Sequence, residues 1–229
     1  MLQKPLTDFL VYLGAPRLTA PVPLRHGWAG WVVMVGVYLA GLLVLGPVLA
    51  WWGSRYHLSA ADAFGGYPSG VLVPAVVLVF PLCEEVLFRG WLTGRPRALW
   101  LLAMGLVIAT LLIAVTFHRH DQIASLCVLA TAIAALAGWL VLRQRTTAPR
   151  WFKGPFGLWF YGSVVVFGLL HMANYAHFGW ALLPMISPQL WAGLVFGYLR
   201  MRYGLLASSL AHGLGNAVAL APALLAGLL

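Results

Sequence analysis

Apolar residues in this chain come in long runs, not in the alternations or three-and-four spacings of a soluble core. Read by run length, the sequence predicts about seven hydrophobic segments: residues 28–52, 69–92, 98–117, 122–142, 158–177, 181–198 and 204–228. Each comes close to or exceeds the ~20 residues that cross a bilayer as a helix. Lipid offers no partner to backbone N–H and C=O groups, so runs of this length imply helices. The expected fold is all-α, a polytopic transmembrane helical bundle. Pro74 and Pro81 interrupt the second segment, and Pro184 and Pro188 the sixth, which predicts bent or broken helices there. Residues 1–27 carry four prolines and a short apolar patch at 9–13. They are expected as a surface segment ahead of a single transmembrane domain over 28–229.

Composition agrees with the pattern. Hydrophobic residues make up 62% of the 229 and charged residues 8%, and mean hydropathy is +0.90. No soluble domain of this length has that balance. A formal charge of +9 could point to nucleic acid, but the basic residues form no tract and sit at the ends of apolar runs, so nucleic acid is not an expected partner. Lys4, Arg17, Arg25, Arg95, Arg97, Arg143, Arg145, Arg150, Lys153, Arg200 and Arg202 fall on one side of the predicted membrane, against Arg55 and Arg119 on the other. That asymmetry predicts a cytoplasmic N-terminus and an external C-terminus. Cys83 and Cys127 lie in apolar runs and read as small hydrophobes, not a disulfide framework. The first residues lack the order of charge, apolar core and small-residue cleavage site of a removable signal peptide.

The exception to the apolar pattern is local. The only two glutamates, Glu84 and Glu85, are adjacent inside VLVPAVVLVFPLCEEVLFRGWL. A charge at membrane depth costs roughly 2.5–3.5 kcal/mol on insertion scales, and two neighbouring carboxylates also repel each other. Arg89 follows Glu85 by one helical turn, where the two can pair. His171 sits in the fifth segment, with Asn174 and His177 after it, and His212 and Asn216 share one helix face in the seventh. These types suit amide hydrolysis, which needs a base for water, donors for the oxyanion and an acid for the leaving amine. Histidine and asparagine one turn apart can both donate to an oxyanion. Equally, His171, His212 and Glu84 could hold a divalent metal such as Zn²⁺ with a water in the open position. The sequence leaves both open, so the cofactor is either none or such a metal. There is no H-E-x-x-H helix and no aspartate in a span. Ser208 and Ser209, one turn before His212, read as packing residues.

Three spaced pieces carry a resemblance: Glu84-Glu85-x-x-x-Arg89, Phe167-x-x-x-His171 and His212-x-x-x-Asn216. Together, and in this order, they resemble the signature of the CPBP family, the CaaX prenyl endopeptidase-like or Abi intramembrane proteases, across more than half of the chain. The resemblance implies that Glu84 and His171 activate the attacking water, that His212 and Asn216 stabilise the oxyanion, and that Glu85 and Arg89 support the site. It implies a membrane protein or peptide as substrate, taken from the lipid bilayer. The basic, Ala/Leu/Gly-rich chain reads as prokaryotic, which places it in a cytoplasmic membrane. Two other readings compete: a non-catalytic membrane immunity or binding protein on the same scaffold, which could shed catalytic residues, and a transporter relaying protons through the glutamates, which would more often show an internal repeat. On the predicted spans His171 lies further out than Glu84, an offset approaching ~10 Å at 1.5 Å per residue. Convergence then requires a tilted or later-starting fifth segment, or a bend at Pro81.

Overall fold

The computed structural model describes residues 3–58, 68–117, 122–176 and 178–226. Arg119 and His177, both weighed above, lie outside the described residues. Helices α1 (Gln3–Gly14), α2 (Leu24–Arg55), α3 (Ser69–Pro74), α4 (Phe80–Arg89), α5 (Pro96–Phe117), α6 (Gln122–Leu142), α7 (Arg150–Lys153), α8 (Phe156–Leu170), α9 (Ser187–Tyr203) and α10 (Leu205–Leu225) follow in chain order, with no strand among the described residues. Among the described residues, six helical stretches are long and apolar enough to cross a membrane: Leu24–Arg55, Ser69–Thr93, Pro96–Thr116, Gln122–Leu142, Phe156–Asn174 and Trp180–Tyr203. The seventh expected segment forms as α10, whose 21 residues reach bilayer length but include His212 and Asn216.

The prolines act where expected, each in its own way. α3 ends at Pro74 and passes through a π-helical turn, Ala75–Val79, into α4. The sixth segment starts with its apolar run, but its α-helix starts later: 3₁₀ turns at Trp180–Leu182 and Pro184–Ile186 precede α9, which has Pro188 in its first turn. Proline has no N–H to give, and a first turn needs none. The fifth segment starts earlier than drawn, at Phe156, and its α-helix stops at Leu170, with His171–Asn174 in a 3₁₀ turn.

The chain divides into two compact units, one made of the chain through Arg89 together with that from Phe156 onward, the other Gly90–Pro155. In the first, α9 is the central helix and carries buried Ala192, Val195, Phe196, Tyr198, Leu199 and Met201. Small residues let backbones approach: Gly193 and Gly197 of α9 receive Val164 and Phe160 of α8. Indole N–H groups tie elements together, Trp191 to the Tyr38 carbonyl at 3.0 Å and Trp31 to the Ala207 carbonyl at 2.8 Å. α1 packs through Phe9, which meets Trp191 and Tyr198 edge-on at 6.1 and 5.2 Å. In the second unit α5 and α6 pack along each other, with the Trp100 indole donating to the Ala134 and Ala135 carbonyls, both at 3.2 Å, opposite Gly138. Nearly all their side chains face outward and are apolar, as lipid-facing helices require.

Candidate active site

Helix α4 sends its two glutamates in different directions, because successive helical residues are turned by about 100°. Glu85 is fully buried and accepts a hydrogen bond from Arg89 Nη1 one turn on, also fully buried. The Arg89 guanidinium lies over the Phe167 ring, 4.2 Å from its centroid, and 5.8 Å from that of Phe196. Pairing and the two aromatic faces compensate a cation that lipid could not solvate. Glu85 Oε1 also lies 3.1 Å from His212 Nδ1. With a carboxylate accepting there, Nδ1 of His212 carries the proton.

Glu84 instead faces a cavity of about 520 Å³ and is partly exposed. Its Oε2 has no hydrogen-bond partner, yet lies 3.9 Å from His171 Nε2 and 3.7 Å from His212 Nε2. The residues that line up with it, Val76, Phe80 and Phe88, are spaced by four. On a regular α-helix of 3.6 residues per turn such a stripe drifts by about 40° per step. The wider π-helical turn between Val76 and Phe80 offsets that drift and keeps the stripe on one wall.

The same turn determines what Asn216 does. In the π register the Phe80 N–H bonds the Ala75 carbonyl, five residues back. The next bond would run from residue 81 to the Val76 carbonyl, but Pro81 has no N–H. Asn216 Nδ2 supplies the missing donor to that carbonyl at 2.9 Å. The Val77 carbonyl, deprived of Pro81 in the α register, faces Gly213, where a Cβ would collide with its oxygen. α10 thus meets the break in the helix with a glycine for close approach and an amide for the orphaned carbonyl. An amide nitrogen has two hydrogens, so one remains on Asn216, which also lines the cavity.

His171 comes from the 3₁₀ turn that ends α8. Its Nδ1 lies 2.7 Å from the Phe167 carbonyl and donates to it, so Nε2 presents its lone pair toward Glu84. The expected depth mismatch between His171 and Glu84 is absent from the structure. Glu84 Oε2 and His171 Nε2 come within 3.9 Å; the second segment is broken at Ala75–Val79, just ahead of Pro81, and the fifth segment starts early, not late. Glu84, His171, His212 and Asn216 all line one cavity, while Glu85 and Arg89 lie behind it.

Sequence reasoning missed the aromatic scaffold. Phe167, noted only as the start of a motif, has its ring centroid 4.5 Å from that of His171, 6.0 Å from that of His212 and 5.1 Å from that of Phe88. Phe196 stacks on His212 at 5.0 Å. Nothing in an apolar run marks Phe196 as an imidazole's support. Ser208 donates to the Leu205 carbonyl at 2.9 Å, a backbone contact of the kind expected of a packing serine.

Carboxylate-to-imidazole separations of 3.7 and 3.9 Å exceed a direct hydrogen bond. A single water at about 2.8 Å from each group can bridge them. They are also wider than the roughly 3.3 Å between neighbouring ligands of a tetrahedral zinc with bonds of about 2.0–2.1 Å. Among the described residues no group of three or more His, Cys, Asp and Glu is arranged to hold a metal ion. As they stand, these three donors do not fit a zinc shell.

A family model described as type II CAAX prenyl endopeptidase Rce1-like matches residues 68–152 and 147–218, more than half of the chain and inclusive of all six residues discussed. Comparisons with curated proteins and with solved structures found no match. With six helices able to cross a membrane and this match, the chain belongs to the type II CAAX prenyl endopeptidase Rce1-like family and is an integral membrane protein of an endopeptidase family.

Proposed function

We propose that this chain is an intramembrane endopeptidase that hydrolyses a peptide bond of a membrane-associated protein or peptide with a water activated by Glu84. The observation that carries the reading is the orphaned Oε2 of Glu84 facing the Nε2 atoms of both histidines across a gap of one water. Glu84 takes a proton from that water as its oxygen attacks the carbonyl carbon. His171 accepts a hydrogen bond from the water through Nε2, since its Nδ1–H is committed to Phe167. The two histidines differ in what backs them. A neutral carbonyl stands behind His171, whereas the Glu85 carboxylate accepts from Nδ1–H of His212 and fixes that ring's orientation. Protonated, His212 donates from Nε2 to the developing oxyanion, joined by the second amide hydrogen of Asn216. Glu84 then returns its proton to the leaving amine as the C–N bond breaks, which restores the carboxylate. Glu85 and Arg89 form a largely self-neutralising pair that positions His212. No step is routed through a metal.

The basic residues support an N-terminus in the cytoplasm of a prokaryotic cell, and α10 as a seventh crossing puts the C-terminus outside. Retention of every motif residue favours catalysis over the immunity or binding reading.

The test is cleavage of a membrane-anchored reporter peptide by purified protein. Glu84→Gln keeps size and hydrogen bonding but removes the base, and its rate is expected to fall by at least 10³-fold, within the range of acid–base contributions, with folding intact. Parent activity is expected to survive a chelator. Glu84→Gln within tenfold of the parent would remove the glutamate from its role; loss of activity to chelator, restored by zinc, would replace the mechanism with the metal one.

A further inference from the structure

Apart from the proposed active site, the first unit has a second cavity, of about 250 Å³, where α1 and the strand of chain after it meet the end of α9. Its construction starts from the last turn of α9, whose carbonyls have no intrahelical donor. Thr19 Oγ1 donates to the Met201 carbonyl at 2.7 Å and the Val22 N–H to the Arg202 carbonyl at 2.8 Å. The Tyr12 hydroxyl donates to the Arg17 carbonyl at 3.2 Å. The first two bonds staple the segment after α1 across the end of α9, and the third ties that segment back to α1. They also occupy carbonyls whose partial negative charge would otherwise face the cavity.

The stapling gathers charge of one sign. Arg17 and Arg202 both line the cavity, against the single carboxylate of Asp8, with Tyr198 between them. Arg202 hydrogen-bonds the Tyr198 side chain and lies 6.0 Å over the Tyr203 ring. Among the described residues neither arginine is in an ion pair with a carboxylate. The cavity therefore holds two guanidiniums and one carboxylate, a net charge of about +1 from formally ionised side chains. Guanidinium forks match phosphate oxygens.

The surroundings identify the source of that phosphate. α1 is apolar on both faces: Phe9 and Tyr12 are buried, while Leu6, Leu10 and Val11 are exposed at 41%, 59% and 61%. Exposed apolar side chains beside Lys4 and Asp8 suit the boundary between lipid headgroups and acyl chains. Val11 is itself part of the cavity wall, so the arginines open directly beside an apolar track.

We propose that this cavity is a binding site for the headgroup of a membrane glycerophospholipid: Arg17 and Arg202 hold the phosphodiester, Asp8 accepts a hydrogen bond from a headgroup ammonium or hydroxyl, and an acyl chain follows Val11 and Leu10. The inference is independent of the peptidase reading. Phosphatidylglycerol and phosphatidylethanolamine satisfy both halves of the site. Phosphatidylcholine, with no headgroup donor, satisfies only the arginines.

The experiment is thermal unfolding of delipidated full-length protein in detergent, titrated separately with phosphatidylglycerol, phosphatidylethanolamine, phosphatidylcholine and inorganic phosphate, with retained lipids counted by native mass spectrometry. Saturating phosphatidylglycerol or phosphatidylethanolamine is expected to raise the midpoint, with an apparent affinity at least tenfold above that of phosphatidylcholine. Arg17→Gln, at an exposed position, is expected to unfold as the parent does without lipid but to need tenfold more lipid for the same shift. Asp8→Asn is expected to narrow the preference over phosphatidylcholine. Equal lipid response in the parent and Arg17→Gln would overturn the site. Protection by inorganic phosphate equal to that by lipid would overturn the lipid assignment and make this a soluble-phosphate site.

Discussion

Removing Asn216 from this protein should do two separable things. The structure gives its amide a job in the ground state, the hydrogen bond of 2.9 Å to the Val76 carbonyl that Pro81 cannot serve. Polar contacts between membrane helices average only about 0.6 kcal/mol, because most groups find another partner. Val76 has none in its own helix, so Asn216→Ala should approach the cost of an unsatisfied buried carbonyl, about 1–3 kcal/mol. Pro81→Ala restores an N–H at the required position. In that background Asn216→Ala should cost less than about 1 kcal/mol, which gives a coupling of about 1 kcal/mol or more between residues 135 positions apart in the chain. The assay is a double-mutant cycle on unfolding free energy in detergent, with peptide cleavage measured on all four proteins. Pro81→Ala alone should lower turnover, since a regular α register in place of the π-helical turn would rotate Glu84 and Phe80 together relative to Val76. If Asn216→Ala destabilises both backgrounds equally, to within about 0.5 kcal/mol, the carbonyl argument is wrong and the asparagine stabilises the fold through some other contact.

Three further outcomes follow from the same geometry. Arg89→Ala strips the partner from a fully buried carboxylate and should cost about 3–5 kcal/mol, read as loss of folded protein on size exclusion. Gly213→Ala pushes a methyl group into the Val77 carbonyl and should cost about 1–3 kcal/mol with a drop in turnover, checked by thermal unfolding and cleavage, whereas alanine at Gly36, with nothing within 4 Å of a built Cβ, should be nearly neutral. A cysteine placed in the linker at 143–153 should resist a membrane-impermeant reagent added to intact cells; labelling from outside would reverse the topology.

Much of this site is legible in the chain because its parts are improbable in lipid. Glu84, Glu85, Arg89, His171, His212 and Asn216 announce themselves against an apolar background, and the i to i+4 spacing of Glu85 with Arg89 predicts the pair that forms. Pro81 marks a break. What spacing cannot convey is which distant group answers that break: Asn216 meets Val76 across 140 residues. Nor does it give depth. The ~10 Å offset drawn between Glu84 and His171 arose from treating each segment as a regular rod at 1.5 Å per residue, and the π-helical turn and the shortened α8 both violate that assumption. The sixth segment starts where its apolar run does but departs from a regular rod as well. Its first residues form 3₁₀ turns ahead of α9, the second of them opened by Pro184. Phe196 remained hidden because stacking on an imidazole uses the same residue type as any buried contact.

The size of the glutamate cavity limits what such an enzyme could cut. One turn of an α-helix, 5.4 Å tall and 10–12 Å across with its side chains, occupies roughly 400–600 Å³, about the whole of the 520 Å³ available. An intact helix would fill the chamber while keeping each of its carbonyls engaged with its own N–H groups and turned away from attack. A substrate has to surrender that hydrogen bonding first, and inside a bilayer this is costly for most sequences. Selection would then rest less on side-chain identity at the cut than on how readily the segment unwinds. On the proposed function, chain ends, juxtamembrane tails and helices weakened by glycine or proline would be the peptides such a chamber admits, with a stable single-pass anchor left whole beside it.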